Sequence, residues 1–212
     1  MWELVKAGGW LMLPLVLCSI FTVAISIERF IRLKKSIILP EAILLKVGQS
    51  TDTIVQQLKQ SATLKNSPLG RIFISGYQSK NHSSEYVRAQ MEATASQEIG
   101  YLEKNINFLG TLSAVAPLLG LLGTVLGIIE SFLVIDLGTN SNPTLMIPGI
   151  SKALITTAAG MLIAVPALFA YRYFQRLVQE YIAELEQQAT LFHAALFYQD
   201  KAIALEELDQ AS

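Results

Sequence analysis

Three long apolar stretches without a charged side chain constrain this sequence more than any other feature. They cover residues 10–27, 105–129 and 153–171. A helix needs roughly 20 mainly apolar residues to cross about 30 Å of hydrocarbon, and each stretch is about that long or longer. A buried helix of a soluble protein explains one such stretch. Three of them, in a chain with only 16% charged residues, predict an all-α membrane protein with three transmembrane helices.

The positions of Lys and Arg predict how these helices are oriented. Four basic residues directly follow the first stretch, Lys104 precedes the second and two arginines follow the third, whereas residues 105–151 contain no Lys or Arg. Cytoplasmic flanks of membrane helices collect Lys and Arg, so we expect the N-terminus to lie outside. The predicted segments are transmembrane helix 1 at 10–27, a cytoplasmic helical domain at 28–104, transmembrane helix 2 at 105–135, a periplasmic loop at 136–151, transmembrane helix 3 at 152–171 and a cytoplasmic helical tail at 172–212.

Hydrophobic spacing and capping residues predict long helical extensions in the cytoplasmic segments. Residues 51–53 offer an N-cap to one helix, and Ser83 or Ser84 offers an N-cap to a helix that begins near Glu85. We expect that second helix to run straight into transmembrane helix 2 as one rod. After residue 171 the chain should continue as an amphipathic helix that needs partner helices. Its apolar stripe consists of Leu177, Tyr181, Leu185, Gln188, Phe192 and Leu196.

Small residues repeat at helical spacing in the second and third membrane stretches. They form one face in each: Gly120, Gly123 and Gly127 in the second, and Ala153, Thr157, Gly160, Ala164 and Ala167 in the third. Small side chains let helix backbones approach closely in lipid, where packing replaces the hydrophobic drive. Most of these residues are expected to serve packing alone. Because one three-span chain offers few neighbours for two such faces, we expect several copies to assemble.

Polar side chains inside or beside the apolar stretches are candidates for an ion path. Thr124 and Thr157 lie well inside the second and third stretches. A membrane threonine also has a purely local use, because its hydroxyl can bond to a carbonyl one turn earlier. Glu130 lies near the outer end of the second stretch and Lys152 at the outer start of the third. Ionisable groups at such depths face either the bundle interior or the headgroup region, and both placements stay open.

No constellation typical of a soluble enzyme, a metal site or a nucleic-acid-binding module is present. Cys18 is the only cysteine and has apolar neighbours, so it is expected to be a small buried hydrophobe. His82 and His193 have no second His or Cys at ligand spacing, and the chain has no P-loop. We therefore expect no catalytic residue, no cofactor, no metal and no nucleic-acid partner.

Two motifs resemble the ExbB/TolQ/MotA proton-channel family, and most closely its ExbB and TolQ branches. Residues 113–128 include Pro117-Leu-Leu-Gly-Leu-Leu-Gly-Thr-Val-Leu-Gly127, which is similar to the motif of the family's second span. Residues 148–154 and their continuation through Gly160 to Pro166 are similar to the family's third-span signature. The turn at residues 67–70 fits more weakly. The predicted topology and the large cytoplasmic loop also resemble those of the family, so the resemblance covers nearly the whole chain.

The resemblance implies a homo-pentamer in the bacterial inner membrane. Its second and third spans would line a pore that holds an ExbD- or TolR-like single-span partner, and proton flow would drive a TonB- or TolA-like protein. The partner carries the proton-binding Asp, while this chain supplies polar residues, with Thr124 and Thr157 at the family's threonines. Relatives commonly have Glu where this chain has Lys152. A ring of fixed ammonium groups would favour anions over cations, unless Glu130 or the partner's Asp pairs with them.

Within this interpretation, an ExbB-like subunit that energises TonB-dependent transport is the leading hypothesis. A TolQ-like subunit for envelope integrity is the alternative, and the sequence does not separate the two. Two other classes are a membrane scaffold without conduction and the permease half of an ATP-driven transporter. The scaffold would keep its function when the proton gradient is dissipated, and the permease would need an ATPase partner and a coupling-helix signature.

Overall fold

The computed structural model describes residues 8–45, 50–136 and 143–210, and within these ranges every regular element is a helix. In chain order the α-helices are α1 (Met12–Arg32), α2 (Lys35–Ile38), α3 (Thr51–Gln60), α4 (Ala62–Lys65), α5 (Pro68–Gln78), α6 (Ser84–Glu103), α7 (Ile106–Asp136) and α8 (Ile147–Gln210). Short 3-10 turns cover Glu41–Ile43 and Pro143–Met146. The all-α fold is therefore confirmed.

Three of the described helical segments are long and apolar enough to cross a membrane: Met12–Arg32, Ser84–Leu133 and Thr144–Phe197. The second and third segments contain the charge-free stretches 105–129 and 153–171, and the first contains residues 12–27 of the stretch 10–27. Part of the predicted periplasmic loop is helical, because the turn Pro143–Met146 and the first residues of α8 lie within 136–151. Residues 137–142 of that loop lie outside the described ranges.

The expected continuous rod from α6 into α7 is wrong. α6 ends at Glu103, Lys104 has extended ψ, and Asn105 adopts a φ of 63° in the left-handed region. Asn is one of the few residues besides Gly that visits this region readily. The Asn105 side chain also donates from Nδ2 to Oε2 of Glu28 at 3.1 Å. The break therefore comes from the backbone conformations of Lys104 and Asn105, without Gly or Pro at the site.

The chain divides into two compact units. Unit 1 comprises residues 1–30 and 105–175, and unit 2 comprises residues 31–104 and 176–212. Unit 1 contains most of α1, all of α7 and the first part of α8. Its buried cluster consists of small or flexible side chains: Met12, Leu15, Ala116 and Ala164. Leu119, Ala159 and Ile163 pack against this cluster.

Unit 2 is built from short capped helices packed around the tail of α8. Ser67 accepts a hydrogen bond from the Gly70 amide at the start of α5, and Ser83 accepts one from the Tyr86 amide at the start of α6. The cap of α3 is Ser50, one residue before the predicted range 51–53. Large apolar side chains form the core, and Phe73 and Phe192 stack with ring centroids 4.1 Å apart.

The tail of α8 supplies one side of this core, as the apolar stripe predicts. Tyr181, Leu185 and Phe192 are buried, while Leu177, Gln188 and Leu196 are half-buried. Tyr181 donates its hydroxyl to the Leu33 carbonyl at 2.9 Å. The partner helices that the stripe needs are present within the same unit of the same chain.

Candidate functional site

The two small-residue faces of unit 1 pack against each other within one chain. A Cβ added at Gly127 would lie 2.8 Å from the Ala153 Cβ, and one added at Gly160 would lie 2.6 Å from the Ala116 carbonyl oxygen. One added at Gly120 would lie 3.1 Å from the Thr157 Cα. Side chains larger than hydrogen therefore do not fit at these crossings. We call this contact between α7 and α8 the glycine seam.

This packing corrects the expectation that the small faces need other copies of the chain. One three-span chain offers few neighbours, but the glycine face of α7 and the small face of α8 satisfy each other. Several large apolar side chains of unit 1, including Leu118 and Leu162, are exposed. The glycine seam by itself therefore carries no information about the number of copies.

Buried hydroxyl groups fill the space that the glycines leave. Thr156 is 1% exposed, and a Cβ added at Gly123 would overlap its Oγ1 and lie 2.6 Å from its Cβ. Ser131 is 2% exposed, and a Cβ added at Gly149 would overlap its Oγ. Each hydroxyl is bonded to backbone: Thr156 donates to the Ala153 carbonyl at 2.8 Å and Ser131 to the Gly127 carbonyl at 2.9 Å.

Sequence reasoning missed Thr156 and Ser131, although a signal for each exists. Extending the glycine face of α7 by four residues from Gly127 gives Ser131. In α8, both Thr156 and Thr157 fit helical spacing between Ala153 and Gly160. The structure buries Thr156 in the seam and leaves Thr157 half-buried at its edge.

The two predicted pore threonines occupy different positions. Thr157 donates its hydroxyl across the seam to the Gly120 carbonyl at 2.9 Å, so it links α8 to α7. Thr124 donates to the Leu121 carbonyl at 2.6 Å within its own helix, the local use noted above. Both side chains are partly exposed, and only their oxygen lone pairs remain available as acceptors. The role of both in an ion path stays a prediction.

The structure brings Glu130 and Lys152 together. Lys152 Nζ lies 2.8 Å from Glu130 Oε2 and 3.1 Å from Oε1, so one ammonium contacts both carboxylate oxygens. The Lys152 side chain is 28% exposed and that of Glu130 is 50% exposed. Glu130 thus supplies the counter-charge that sequence reasoning required for Lys152. Among the described ranges, no three His, Cys, Asp or Glu side chains cluster in a way that could hold a metal ion.

The remaining predicted packing residues lie along the same two helices. Ala164 is 7% exposed within the buried cluster of unit 1, next to Met12, Leu15 and Ala116. Pro117 lies inside α7 and is half-buried. Pro166 lies inside α8 and is exposed, and its role in packing stays a prediction.

Comparison with known proteins gives matches that cover this seam. The model of the MotA/TolQ/ExbB proton channel family matches residues 64–187. The putative biopolymer transport protein ExbB-like 1 of Synechocystis sp. is 31% identical over 199 residues, which cover 91% of this chain and 78% of that protein.

Two further relatives match shorter parts of the chain. The Tol-Pal system protein TolQ of Haemophilus influenzae is 34% identical over 111 residues, 50% of this chain and 49% of that protein. The biopolymer transport protein ExbB of Salmonella typhimurium is 39% identical over 85 residues, 40% of this chain and 35% of that protein. Names of both branches therefore occur among the relatives.

Proposed function

This chain belongs to the MotA/TolQ/ExbB proton channel family, and from that premise we propose that it is the pore-forming stator subunit of a proton-driven motor in the bacterial inner membrane. In this proposal it is ExbB-like, assembles as a homo-pentamer and encloses an ExbD-like single-span partner. The motor would energise TonB-dependent transport across the outer membrane. The observation that carries the proposal is the family match over 64–187, which contains every residue of the glycine seam.

The chemistry of the seam supports an energy-transducing role. In unit 1 the pore helices would be held by close backbone contact and by the Thr157 link to Gly120, so that α7 and α8 move as one body. A rigid pair of helices with half-buried hydroxyl oxygens at its edge would let a partner helix move against it. The oxygens of Thr124 and Thr157 would position water or stabilise the partner's carboxylate.

A TolQ-like role is the second candidate, because the TolQ of Haemophilus influenzae matches half of this chain at 34% identity. In that case the single-span partner would be TolR-like and the force-transmitting protein TolA-like. The identity of the partner decides between the two roles. Purification of the tagged chain from its native host in mild detergent, followed by mass spectrometry, would identify it.

Proton conduction is tested by reconstitution of the co-purified complex. Liposomes that contain chain and partner should collapse an imposed pH gradient when the partner's membrane carboxylate is intact, and should hold it when that carboxylate is replaced by its amide. Co-purification of no single-span protein in several mild detergents would contradict the proposal. Energised function that survives dissipation of the proton gradient would favour the scaffold instead.

The proposed topology has its own test. We propose an external N-terminus, a cytoplasmic location for 28–104 and 172–212, and an external location for 136–151. Single cysteines at the exposed positions Leu145 and Glu92, in a chain with Cys18→Ala, report the two sides. An impermeant thiol reagent added to intact cells, with the outer membrane permeabilised, should label the cysteine at Leu145 and not the one at Glu92. The reverse pattern would contradict the topology.

A further inference from the structure

The Glu130–Lys152 pair in unit 1 presents its carboxylate more openly than its ammonium. The Glu130 side chain is 50% exposed, whereas the Lys152 side chain is 28% exposed. Both oxygens of Glu130 contact the single Nζ of Lys152, at 2.8 and 3.1 Å. The ammonium therefore lies against the carboxylate, and the glutamate is the more exposed side chain of the pair.

The backbone before α1 covers the other side of the lysine. A Cβ added at Gly9 would overlap the Lys152 Cε and lie 2.9 Å from its Nζ, so the chain at Gly9 rests directly on the lysine side chain. Gly9 has a φ of 74°, in the left-handed region that favours glycine. On its own helix, the Lys152 carbonyl accepts the Thr156 hydroxyl at 3.2 Å. Lys152 is thus enclosed by the Gly9 turn, by α7 and by the start of the seam.

We propose that Lys152 is a positioning residue for Glu130, and that Glu130 forms a weak binding site for a small hydrated cation at this end of α7. This inference rests on the proposed function, because it assigns the site to the ion path of that motor. In this inference Lys152 no longer contributes a free positive charge to the ion path. Each copy would present a compensated pair with an outward carboxylate, in place of a ring of free positive charge.

The compensation itself suits a transit site. A lone carboxylate would hold a cation more tightly, and a lone ammonium would repel it. Conduction requires a site that is favourable enough for an ion to enter and weak enough for it to leave. An ammonium that contacts both oxygens leaves the carboxylate with a residual attraction for cations, and fixes it in place so that no side chain has to be ordered when an ion arrives.

The sign of the local potential tests this inference directly. Leu133 is 52% exposed and lies three residues after Glu130 on α7, so a cysteine at Leu133 neighbours the carboxylate. The cysteine is introduced in a chain with Cys18→Ala, and the protein is purified in neutral detergent. Its reaction rate is measured with a cationic reagent, trimethylammonioethyl methanethiosulfonate, and with an anionic one, sulfonatoethyl methanethiosulfonate. The first rate divided by the second gives a cation-to-anion ratio. Division by the same ratio for 2-mercaptoethanol removes the intrinsic reactivity of the reagents. The thiol's own ionisation cancels in the ratio.

We expect a corrected ratio of about two to five, because a carboxylate within one helical turn favours the cationic reagent at high local dielectric. Glu130→Gln should bring the ratio below one, since Lys152 is then uncompensated, and Lys152→Met should raise it. Lys152→Arg should keep it near the parent value. A parent ratio of one or less, a ratio unchanged by Glu130→Gln, or a cysteine that neither reagent modifies would overturn the inference.

A second measurement assigns the site to the motor. In the complex with its partner, Glu130→Gln should reduce proton flux at least tenfold, while Glu130→Asp should retain most of it. Equal flux in Glu130→Gln and the parent would overturn the cation site as part of the ion path. The measurement on the cysteine at Leu133 needs neither a partner nor a gradient, so its failure would contradict this inference alone. Failure to co-purify a partner would contradict the proposed function and would leave the measured reagent ratio unchanged.

Discussion

Unit 2 and the helix contact of unit 1 bury different kinds of side chain. The core of unit 2 consists of large groups such as Phe73, Phe192 and Leu58, each at most 1% exposed. The contact between α7 and α8 in unit 1 is lined by glycine, Ala116, Ala164 and Thr156, while Leu162 and Phe169 are 73% and 74% exposed. Small residues therefore fill this helix contact and several large apolar residues of unit 1 are exposed, although others, such as Leu15 and Leu109, are buried.

A difference in surroundings, water for unit 2 and lipid for unit 1, would explain why the two units bury different side chains. In water, removal of apolar surface contributes roughly 25 cal/mol per Å², so unit 2 is stabilised by hiding its largest side chains. In lipid no such drive exists between apolar helices, and close backbone approach supplies the contact energy. The glycine seam of unit 1 makes that approach possible. The packing of unit 1 is of the kind expected in a bilayer, and the packing of unit 2 is of the kind expected in water.

Polar groups divide in the same way. Unit 2 places ionised pairs at its surface, such as Lys35 with Glu184 at 2.7 Å and Arg88 with Glu92 at 2.7 Å. Unit 1 has the partly exposed Glu130–Lys152 pair between α7 and α8. Where these two helices are buried against each other, it uses hydroxyl groups whose protons go to backbone carbonyls, as in Thr156 and Ser131. Hydroxyls satisfied by backbone avoid the cost of an unpaired polar group in a medium without water.

The largest effect should follow from emptying the core of unit 2. Phe73→Ala removes one ring of the Phe73–Phe192 stack, in which both rings are fully buried. We expect a loss of about 3–5 kcal/mol in the free energy of unfolding. Thermal unfolding of the purified protein in detergent, followed by far-UV circular dichroism, measures it. Tyr101→Ala is the matched control, since that ring is 63% exposed and should change stability little; an equal loss in both would contradict the aqueous core.

A smaller but selective effect should follow from widening the glycine seam. Gly123→Leu places a branched side chain where even a Cβ overlaps the Thr156 hydroxyl. Overpacking costs typically about 1–3 kcal/mol, and here it should separate α7 from α8 within each copy before it affects any assembly. Gly100→Leu is the control, because a Cβ at Gly100 meets nothing within 4 Å. The yield of a short bifunctional thiol cross-linker between cysteines at Glu130 and Lys152, whose side chains meet across α7 and α8, reads out the separation. An unchanged yield in Gly123→Leu would argue against the seam.

Removal of one cross-seam hydrogen bond should have a still smaller effect. Thr157→Val keeps the shape of the side chain and deletes its bond to the Gly120 carbonyl. Hydrogen bonds between membrane helices contribute about 0.6 kcal/mol on average, so we expect a loss of about that size. Thr124→Val, which deletes a bond within one helix, is the matched control and should cost less. Equal midpoints of thermal unfolding for both variants would show that the hydrogen bond from Thr157 to Gly120 does not stabilise the seam.

Local patterns in the sequence were enough to predict much of this architecture. All but the first two residues of the three charge-free stretches lie in the helical segments that qualify as membrane spans, and Ser83 caps α6 as one of the two predicted residues. The break at Asn105 was not predictable from Gly or Pro, because its cause is the backbone conformations of Lys104 and Asn105, with Asn105 bonded to Glu28, far away in the chain. The spacing of residues along a single helix does not reveal interactions with residues that are distant in the chain.

The same limit applies to the seam. Helical spacing identified the glycine face of α7 but left Thr156 and Thr157 equivalent, because both fit between Ala153 and Gly160. The choice depends on the register between α7 and α8, which places Thr156 against Gly123 and Thr157 beside Gly120. Charge was more informative: Glu130 and Lys152 were recognised as possible partners because an uncompensated ammonium at that depth is costly.

The smallest expected effect concerns an ion pair at the surface of unit 2. The hydrogen bond that Lys35 donates to Glu184 raises the pKa of Lys35 above its ordinary value. A base whose pKa is raised by folding contributes stability that is fully present below the unfolded pKa, about 10.4, and is lost as the pH rises through the folded pKa. The Lys35 side chain is 58% exposed, so solvent screens the pair. Glu184→Gln should therefore lower the midpoint of thermal unfolding at pH 7 by about 1 °C or less, and the difference from the parent should vanish as the pH rises through the folded pKa and Lys35 loses its proton. A large difference at pH 7, or one that persists at high pH, would show that Glu184 acts on the core of unit 2 through packing and not through its charge.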